Sequence, residues 1–229
     1  MTLHFRQPLP TAKFEALIED ALRPDRAPTP YRDTFKRVLD VTLVLMAALP
    51  VLMMTLAFAA VIALDGKSPF YRQERVGRNG TTFFMWKLRS MVPNADRLLD
   101  AYLADNPAAR AEWDRDQKLR HDPRITPIGH VIRKTSIDEL PQLWNVLRGD
   151  MSLVGPRPMM PCQQEIYPGT AYYALRPGIT GFWQTSVRNE SSFAQRAEFD
   201  GDYLRKLSFG TDLRILLKTV RVVIRGTGY

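Results

Sequence analysis

The sequence predicts an α+β protein, mainly α-helical, in which a membrane segment is joined to one small globular domain. Three observations support this fold class: an uncharged apolar run at residues 41–64, a pair of strand-like segments after it, and several segments with helical periodicity. A chain of 229 residues is long enough to bury one good hydrophobic core. We therefore divide it into a polar leader at 1–34, a membrane segment at 35–65 and a domain at 66–229.

The leader is rich in proline and charged residues and contains one short amphipathic stretch. Its apolar residues would share one face of a helix: Phe14, Leu17, Ile18, Ala21 and Leu22. Such a helix would lie on a membrane or on the domain. A disordered leader with a transient helix fits the same pattern equally well.

The apolar run at 41–64 exceeds the ~18 residues that suggest a membrane helix, and it is too long for an ordinary core helix. It begins well inside the chain after the polar leader, so we interpret it as a permanent anchor rather than a cleaved signal peptide. Basic residues flank both ends of the run, although they normally mark only the cytoplasmic end of a spanning helix.

Pro50 lies inside this run, where it removes a backbone donor and favours a kink. Two arrangements remain open. In one, arms at 35–49 and 50–64, each rising about 22 Å against a hydrocarbon core of about 30 Å, dip into one leaflet and return. In the other, a single-pass helix crosses the bilayer with a mild proline kink.

The domain begins with a predicted β-hairpin. Residues 69–76 and 81–88 are rich in β-compatible and aromatic side chains, and the four residues between them contain the Asn79-Gly80 step, a strong hairpin turn signal. Residues 94–119 then show a strongly charged helical pattern with a break at Asn106-Pro107. At 212–224, apolar and basic residues alternate as in an amphipathic helix that rests on a membrane surface or packs on the domain.

The formal net charge of +8 indicates anionic partners: nucleic acid, acidic lipid head groups or phosphorylated substrates. The charge alone does not choose among them. A single cysteine, Cys162, excludes an internal disulfide framework. The three histidines have neither metal-ligand spacing nor a cysteine cluster beside them, which argues against a zinc site.

Residues 133–158 carry the densest chemistry in the chain. Ser136 and Glu139 have the spacing of a capping box before an apolar run, which would make Asp138 and Glu139 ordinary residues of a helix start. Alternatively, the helix begins at Pro141, and both carboxylates precede it. In either case we expect the helix dipole and the basic residues nearby to favour the ionised form of Asp138.

An ionised carboxylate attacks a phosphorus centre only when cations screen its charge and the charge of the substrate. We therefore assign Asp138 as a candidate nucleophile and Glu139 as a candidate oxygen ligand for Mg²⁺. Four basic side chains are candidate phosphate partners: Lys87, Arg89, Arg133 and Arg157. Arg157 lies between two prolines, which would limit the freedom of its backbone.

The run SIDELPQLWNVLRGDMSLVGPRP closely resembles the signature of the bacterial sugar transferases, the monotopic phosphoglycosyl transferases. Four further blocks resemble the same family, in the family's order: FKRVLDVTLVLMAALP, SPFYRQERVGRNGTTFFMWKLRSM, DPRITPIGHVIRK and RPGITGFWQTSVRN. Together they cover the chain from about residue 34 onward. The resemblance implies a re-entrant membrane helix hairpin broken at a proline and a small cytosolic catalytic domain with a β-hairpin and interfacial amphipathic helices.

The resemblance also implies a reaction. Asp138 would attack the β-phosphate of a UDP-sugar, Glu139 would help to hold Mg²⁺, and polyprenyl phosphate, usually undecaprenyl phosphate, would then take the sugar-phosphate from the aspartate. Lys87, Arg133 and Arg157 match the essential basic positions of the family. Because the last block is associated with sugar or carrier recognition, Gln184 and Arg188 become candidate substrate-binding residues. The implied location is the cytosolic face of the bacterial inner membrane, in contact with membrane lipids.

Some positions depart from the family pattern. Leu49 precedes the membrane proline, where the family often has serine, and Thr185 and Val187 replace commoner residues in the last block. The pattern resembles the exopolysaccharide-priming branch that transfers galactose or glucose phosphate. The sequence does not decide whether the protein forms a homodimer, and no nucleic-acid partner is expected. The competing hypothesis is a membrane-anchored basic scaffold or nucleic-acid-binding protein without catalysis.

Overall fold

A computed structural model describes residues 30–117, 119–186 and 192–225 of the protein. The amphipathic stretch expected in the leader lies outside these residues. A short π-helical turn, Tyr31–Phe35, leads into helix α1, Lys36–Ile62. The two arms expected on either side of Pro50 form one continuous helix in the structure. A proline removes only one backbone donor, so the turns that flank it can remain helical.

Helix α1 is buried at its two ends and exposed between them. Near its start, Val44 packs with Met85 in one core cluster, and near its end Ile62 packs with Leu88 in another. The large apolar side chains between these contacts are exposed, among them Leu45, Met46, Leu49, Leu52 and Met53. Within the described residues, one helical segment, Lys36–Asp65, has the length and composition to cross a membrane, with mean hydropathy 2.4.

The predicted hairpin is confirmed. Strands β1, Phe70–Val76, and β2, Thr82–Leu88, pair antiparallel, with Phe70 opposite Leu88 and Val76 opposite Thr82. Asn79 and Gly80 both have positive φ in the turn. Asparagine and glycine adopt this conformation most readily, so the local sequence alone determines the position of the turn.

The charged insert is helical, as predicted. Helices α2, Ala95–Asp105, and α3, Pro107–Asp116, are separated by Asn106. Leu99 and Leu103 of α2 form a small buried cluster with Leu119, and Trp113 of α3 packs against it. The insert therefore has its own minor core and lies beside the main body of the domain.

The centre of the domain consists of short elements. Helix α4, Pro127–Lys134, is followed by a 3₁₀ turn at Ile137–Glu139 and by helix α5, Gln142–Arg148. Strands β3, Ser152–Val154, and β4, Gly178–Thr180, then form a parallel pair that no pattern in the sequence predicted. Helix α6, Phe182–Thr185, follows β4 directly.

Asn145 of α5 connects this centre to the hairpin. Its side-chain amide donates to the carbonyl of Phe84 at 2.8 Å and accepts from the amide of Trp86 at 3.1 Å. The fully buried asparagine therefore satisfies backbone groups of β2 that the pairing with β1 leaves free.

Two helices complete the domain. Helix α7, Arg196–Lys206, packs its buried Tyr203 against Val154, and helix α8, Phe209–Arg225, places Ile215 in the same cluster. The amphipathic helix predicted near the C-terminus is therefore confirmed, and one of its faces packs on the domain. Leu213, Leu217 and Val220 remain exposed on this helix.

Candidate active site

Asp138 and Glu139 lie on the 3₁₀ turn between α4 and α5. Ser136 has a φ of 58° and its side chain caps no helix, so the capping-box interpretation is wrong. The other prediction, a helix that begins at Pro141, is close to the observed structure, because Pro141 is the N-cap of a helix that begins at Gln142. Both carboxylates therefore precede α5.

Glu139 is the acidic centre of a cluster of cations. The ammonium of Lys87 on β2 lies 2.9 Å from Glu139 Oε1, and Nη2 of Arg157 lies 3.6 Å from the same oxygen. The hairpin and the loop after β3 thus both contribute basic groups to the turn that carries the carboxylates. The structure brings together Lys87, Glu139 and Arg157 as the sequence analysis expected.

The carboxylate of Asp138 is buried beside this cluster, with 7% of the residue exposed. Burial raises the pKa of Asp138 above its ordinary value, while Lys87 opposes this rise. Glu139 raises the pKa further, and Arg133 and Arg157 lower it. The nearby basic residues therefore favour the ionised carboxylate as expected, but in the protein alone burial outweighs them and the pKa of Asp138 is raised.

Arg133 reaches this site from the last turn of α4. Its Nε donates to the hydroxyl of Ser90 at 2.8 Å, just beyond β2. Thr126 caps the helix by accepting from the amide of Gly129. A Cβ on Gly129 would lie 2.0 Å from the Ser90 carbonyl, so only glycine permits this close approach of α4 to the end of β2.

The loop that carries Arg157 is held by hydrogen bonds on both sides. The carbonyl of Pro156 accepts from the amide of Gly178 at 2.7 Å, and the carbonyl of Pro158 accepts from the guanidinium of Arg75 at 3.2 Å. The guanidinium of Arg157 also lies 5.8 Å from the ring centre of Trp183. The loop is therefore preorganised, as the flanking prolines predicted.

The other candidate substrate-binding residues have different surroundings. The guanidinium of Arg89 is engaged by both carboxylate oxygens of Asp65 and by the carbonyls of Ile62 and Ser68. Arg89 thus connects the end of β2 to the end of α1, and its substrate-binding role remains a prediction. Gln184 is buried, and neither polar atom of its side-chain amide has a hydrogen-bond partner within the described part of the chain. Arg188 lies outside the described residues.

Arg75 and Arg196, two basic residues that Arg157 repels, were not predicted from the sequence as site residues. The three side chains repel one another, and this repulsion contributes to the lowered pKa of both Arg75 and Arg196. Arg75 is on a strand in a generally basic hairpin, and Arg196 is on a highly charged helix. Both therefore resembled solvated surface residues, and no spacing in the sequence distinguished them.

The residues fit a magnesium ion that is shared with a phosphorylated substrate. Among the described residues, no group of three or more acidic, histidine or cysteine side chains forms a metal cage. Mg²⁺ is usually held by one or two carboxylates together with substrate phosphate oxygens and water. The adjacent carboxylates of Asp138 and Glu139, next to basic phosphate partners, supply that donor set.

A family model described as bacterial sugar transferase matches residues 31–226. The match covers the segment from the turn before α1 through α8 and includes the whole site. The chain belongs to the bacterial sugar transferase family. The family suggested by the sequence blocks is therefore confirmed.

Curated relatives carry names that agree with this family. A UDP-galactose-lipid carrier transferase of Erwinia amylovora is 52% identical over 170 residues, covering 73% of this chain and 36% of the relative. An undecaprenyl-phosphate galactose phosphotransferase of Salmonella typhimurium is 49% identical over 169 residues, with coverage of 73% and 36%. The exopolysaccharide production protein ExoY of Sinorhizobium fredii is 45% identical over 191 residues, with coverage of 81% and 84%.

The first two of these relatives are much longer than the region they share with this chain, which spans about a third of their length. ExoY, by contrast, is matched over most of its length. The family assignment applies to residues 31–226, which contain α1, the hairpin and the acidic turn.

Proposed function

We propose that the protein transfers a sugar-1-phosphate from a UDP-sugar to polyprenyl phosphate, in bacteria undecaprenyl phosphate. The products are a polyprenyl-diphosphate sugar and UMP, and the reaction is the priming step of exopolysaccharide or glycoconjugate synthesis. One observation carries the proposal: adjacent carboxylates, Asp138 and Glu139, lie within a cluster of Lys87, Arg133 and Arg157 in a chain of the bacterial sugar transferase family.

In the first step, a carboxylate oxygen of Asp138 attacks the β-phosphorus of the donor. A bond forms between that oxygen and phosphorus, the bond from the β-phosphorus to the bridging oxygen breaks, and UMP leaves with the bridging oxygen. The enzyme then holds a phosphosugar-aspartate. Arg157 and Lys87 would stabilise the negative charge on the transferred phosphoryl group, because both are already oriented toward Glu139.

In the second step, a phosphate oxygen of the polyprenyl phosphate attacks the same phosphorus. The bond to Asp138 breaks, and the free carboxylate returns. Because a single carboxylate first accepts and then releases the phosphosugar, two different substrates can use one site in turn. Arg133, held by Ser90, is placed to stabilise the charge that returns to Asp138.

We propose Mg²⁺ as the cofactor, with Glu139 as its protein ligand and Asp138 beside it. When bound, the ion would supply positive charge that favours the ionised form of Asp138 and shields the phosphate oxygens of the donor. Burial and the neighbouring Glu139 both raise the pKa of Asp138, which supports this assignment because a bound cation would oppose both effects.

We propose a hexose as the transferred sugar, with galactose ahead of glucose. The support comes from the names of two relatives, a UDP-galactose-lipid carrier transferase and an undecaprenyl-phosphate galactose phosphotransferase. These names describe the relatives, and a panel of donors tests the sugar for this chain directly.

We further propose that α1 is a re-entrant helix at the cytosolic face of the bacterial inner membrane. Both ends of α1 pack on the same domain, while the apolar side chains between them are exposed. A helix that enters and leaves one leaflet would immerse that exposed middle and keep both ends on the domain. The site around Asp138 would then be accessible to a cytosolic UDP-sugar and to a lipid acceptor.

The test is transfer by the purified full-length chain in detergent with Mg²⁺, undecaprenyl phosphate and a panel of UDP-sugars. We expect UMP release with UDP-galactose or UDP-glucose, and a loss of at least about a thousandfold for Asp138→Asn. Asp114→Asn, on the exposed surface of α3, is the matched control and should retain activity. With donor alone, intact-mass analysis should find a phosphohexose adduct on Asp138.

Two results would contradict the proposal. One is the absence of UMP release from every donor by folded protein in an assay where a control enzyme is active. The other is a donor-dependent adduct on a residue other than Asp138.

A further inference from the structure

Arg196, in the first turn of α7, has an unusual environment for an arginine. Its guanidinium carbon lies 4.3 Å from the ring centre of Trp183 and 4.7 Å from that of Phe193. The Nε of the side chain is buried and has no hydrogen-bond partner among the residues that the structure describes. Stacking on two aromatic rings holds the guanidinium in place and leaves its N–H groups as donors.

The acidic group that attracts this guanidinium, Asp200, is engaged by another partner. Asp200 lies one turn further along α7, but its carboxylate accepts a 2.6 Å hydrogen bond from Tyr167. Burial raises the pKa of Asp200 to about 7, so this carboxyl group is only partly charged near neutral pH. Within the described residues, Arg196 forms no ion pair, although a buried charge without a partner is costly.

Two further guanidinium groups lie close to Arg196. Arg157 stacks on the same Trp183 ring, with its guanidinium carbon 5.8 Å from the ring centre, and Arg75 holds the loop that carries Arg157. Burial and repulsion by Arg157 lower the pKa of Arg75 to about 10 and that of Arg196 to about 9. An anion bound between these guanidinium groups would relieve their mutual repulsion.

We propose that Arg196 and Arg157, stacked on the indole of Trp183, form a two-arginine site that binds a phosphate group. Planar guanidinium groups bind phosphate oxygens through paired N–H donors, and two of them on one rigid ring are preorganised for this task. Arg75 is a positioning residue of the site, because its guanidinium donates to the carbonyl of Pro158, next to Arg157.

This inference rests on the proposed function for the origin of the phosphate. Arg157 also contacts Glu139 next to the nucleophile, so the phosphate bound by the arginine pair belongs to a molecule at the reaction centre. Two sources share this chemistry: the phosphate of the nucleotide that leaves from the donor, and the head group of polyprenyl phosphate. Separate measurements for the two substrates distinguish them.

The first test measures phosphate binding without turnover. The melting temperature of the full-length protein is recorded in detergent with and without inorganic phosphate or UMP. Arg196→Met retains the length of the side chain and removes the charge. We expect this variant to melt at or above the wild-type temperature without ligand, and to lose most of the ligand-induced increase in melting temperature. Arg205→Met, exposed on the same helix, is the control and should retain that increase.

A packing role for Arg196 would give the opposite pattern. Arg196→Met would then melt below the wild type and keep the full phosphate-induced increase, which would overturn the proposal. Arg196→Lys, which retains the charge but not the planar fork, provides a second variant if the methionine protein does not fold. It should retain part of the increase, and full retention would also contradict the paired-donor geometry.

The second test identifies the source of the phosphate. We expect Arg196→Met to raise KM about tenfold or more for the UDP-sugar if the site holds the nucleotide phosphate, or for polyprenyl phosphate if it holds the lipid head group. Unchanged KM values for both substrates would overturn the proposal in a transferase that is otherwise active. If no transfer is found with any donor, the proposed function fails, whereas the melting experiment still decides whether the arginine pair binds phosphate.

Discussion

The ammonium of Lys36 lies 2.6 Å from a carboxylate oxygen of Asp212, so the first turn of α1 is tied to the first turn of α8. Asp212 is fully buried and also accepts hydrogen bonds from Tyr31 and Tyr203. This network joins the start of α1 to the start of α8, and Lys36 and Asp212 are 176 positions apart in the chain.

We expect Asp212→Ala to destabilise the protein by about 3 to 5 kcal/mol, because it leaves a buried ammonium and two tyrosine hydroxyls without their acceptor. Thermal or denaturant unfolding in detergent measures this change. Asp202→Ala removes the acceptor of exposed ion pairs on α7 and should cost less than about 1 kcal/mol. Equal losses for the two variants would show that the Asp212 network contributes little.

Replacing the carboxylate of Glu139 should change how the transfer activity depends on the Mg²⁺ concentration. We expect chelation by EDTA to abolish transfer, and Glu139→Gln to raise the Mg²⁺ concentration needed for half-maximal activity by about tenfold or more, since a neutral amide is a weaker ligand. Activity is measured as UMP release across a Mg²⁺ titration. Glu198→Gln, exposed on α7, serves as the control. An unchanged titration curve for Glu139→Gln would remove this residue as a metal ligand.

Arg157→Lys should lower kcat/KM about a hundredfold, which corresponds to about 2.7 kcal/mol of transition-state stabilisation. Lysine retains the charge but loses the planar fork and the stacking on Trp183. Arg78→Lys, exposed in the turn of the hairpin, is the matched control and should have wild-type kinetics. Wild-type kinetics for Arg157→Lys would mean that catalysis needs only a positive charge at this position and not the planar guanidinium group.

Asp200 should make the stability depend on pH. Burial raises its pKa from 3.8 to about 7, so the folded state binds this proton more tightly than the unfolded state does. The stabilisation is complete below about pH 4 and is lost as the pH rises through 7. Between pH 5 and pH 7, the unfolding free energy of the wild type should fall by about 2 kcal/mol more than that of Asp200→Asn.

Thermal unfolding of both proteins over this range checks the expectation. Asparagine can still accept the hydrogen bond from Tyr167, and all other titrating groups are common to the two proteins. Asp202→Asn, exposed on the same helix, should follow the wild-type pH profile. Parallel profiles for the wild type and Asp200→Asn would show that Asp200 has an ordinary pKa in the folded protein.

The re-entrant arrangement of α1 predicts that both of its flanks lie on one side of the membrane. In a Cys162→Ser background, Thr34→Cys and Lys67→Cys place single thiols at exposed positions before and after the helix. We expect a membrane-impermeant maleimide to label both in inverted inner-membrane vesicles and neither in spheroplasts.

A single-pass helix would give labelling of the two thiols from opposite sides of the membrane. Arg78→Cys, in the turn of the hairpin, reports the side on which the domain lies and is the internal reference for both outcomes.

Much of the architecture could be predicted from local sequence. The hairpin follows from the Asn79-Gly80 step, the division of the insert follows from Pro107, and the exposed apolar middle of α1 follows from its composition. Each depends on interactions between residues that are close in the chain, for which short patterns are sufficient.

The carboxylates of the site were also found from sequence, but their surroundings were not fully predicted. Asp138 and Glu139 stand within a long run that resembles the family signature, and Lys87 and Arg157 meet Glu139 as expected. The raised pKa of Asp138 was not predicted, because it results mainly from burial, which depends on residues that are distant in the chain.

The sequence by itself determined the family, the acidic pair, the hairpin and the apolar segment of this protein, since periodicity, turn chemistry and motif spacing are properties of neighbouring residues. Only the tertiary structure decided the parallel pairing of β3 with β4, the use of Arg89 to hold Asp65, and the meeting of Arg157 and Arg196 on Trp183. These relationships join segments that are far apart in the chain. They depend on how buried surfaces pack and on which charges burial brings together, and no local pattern records either.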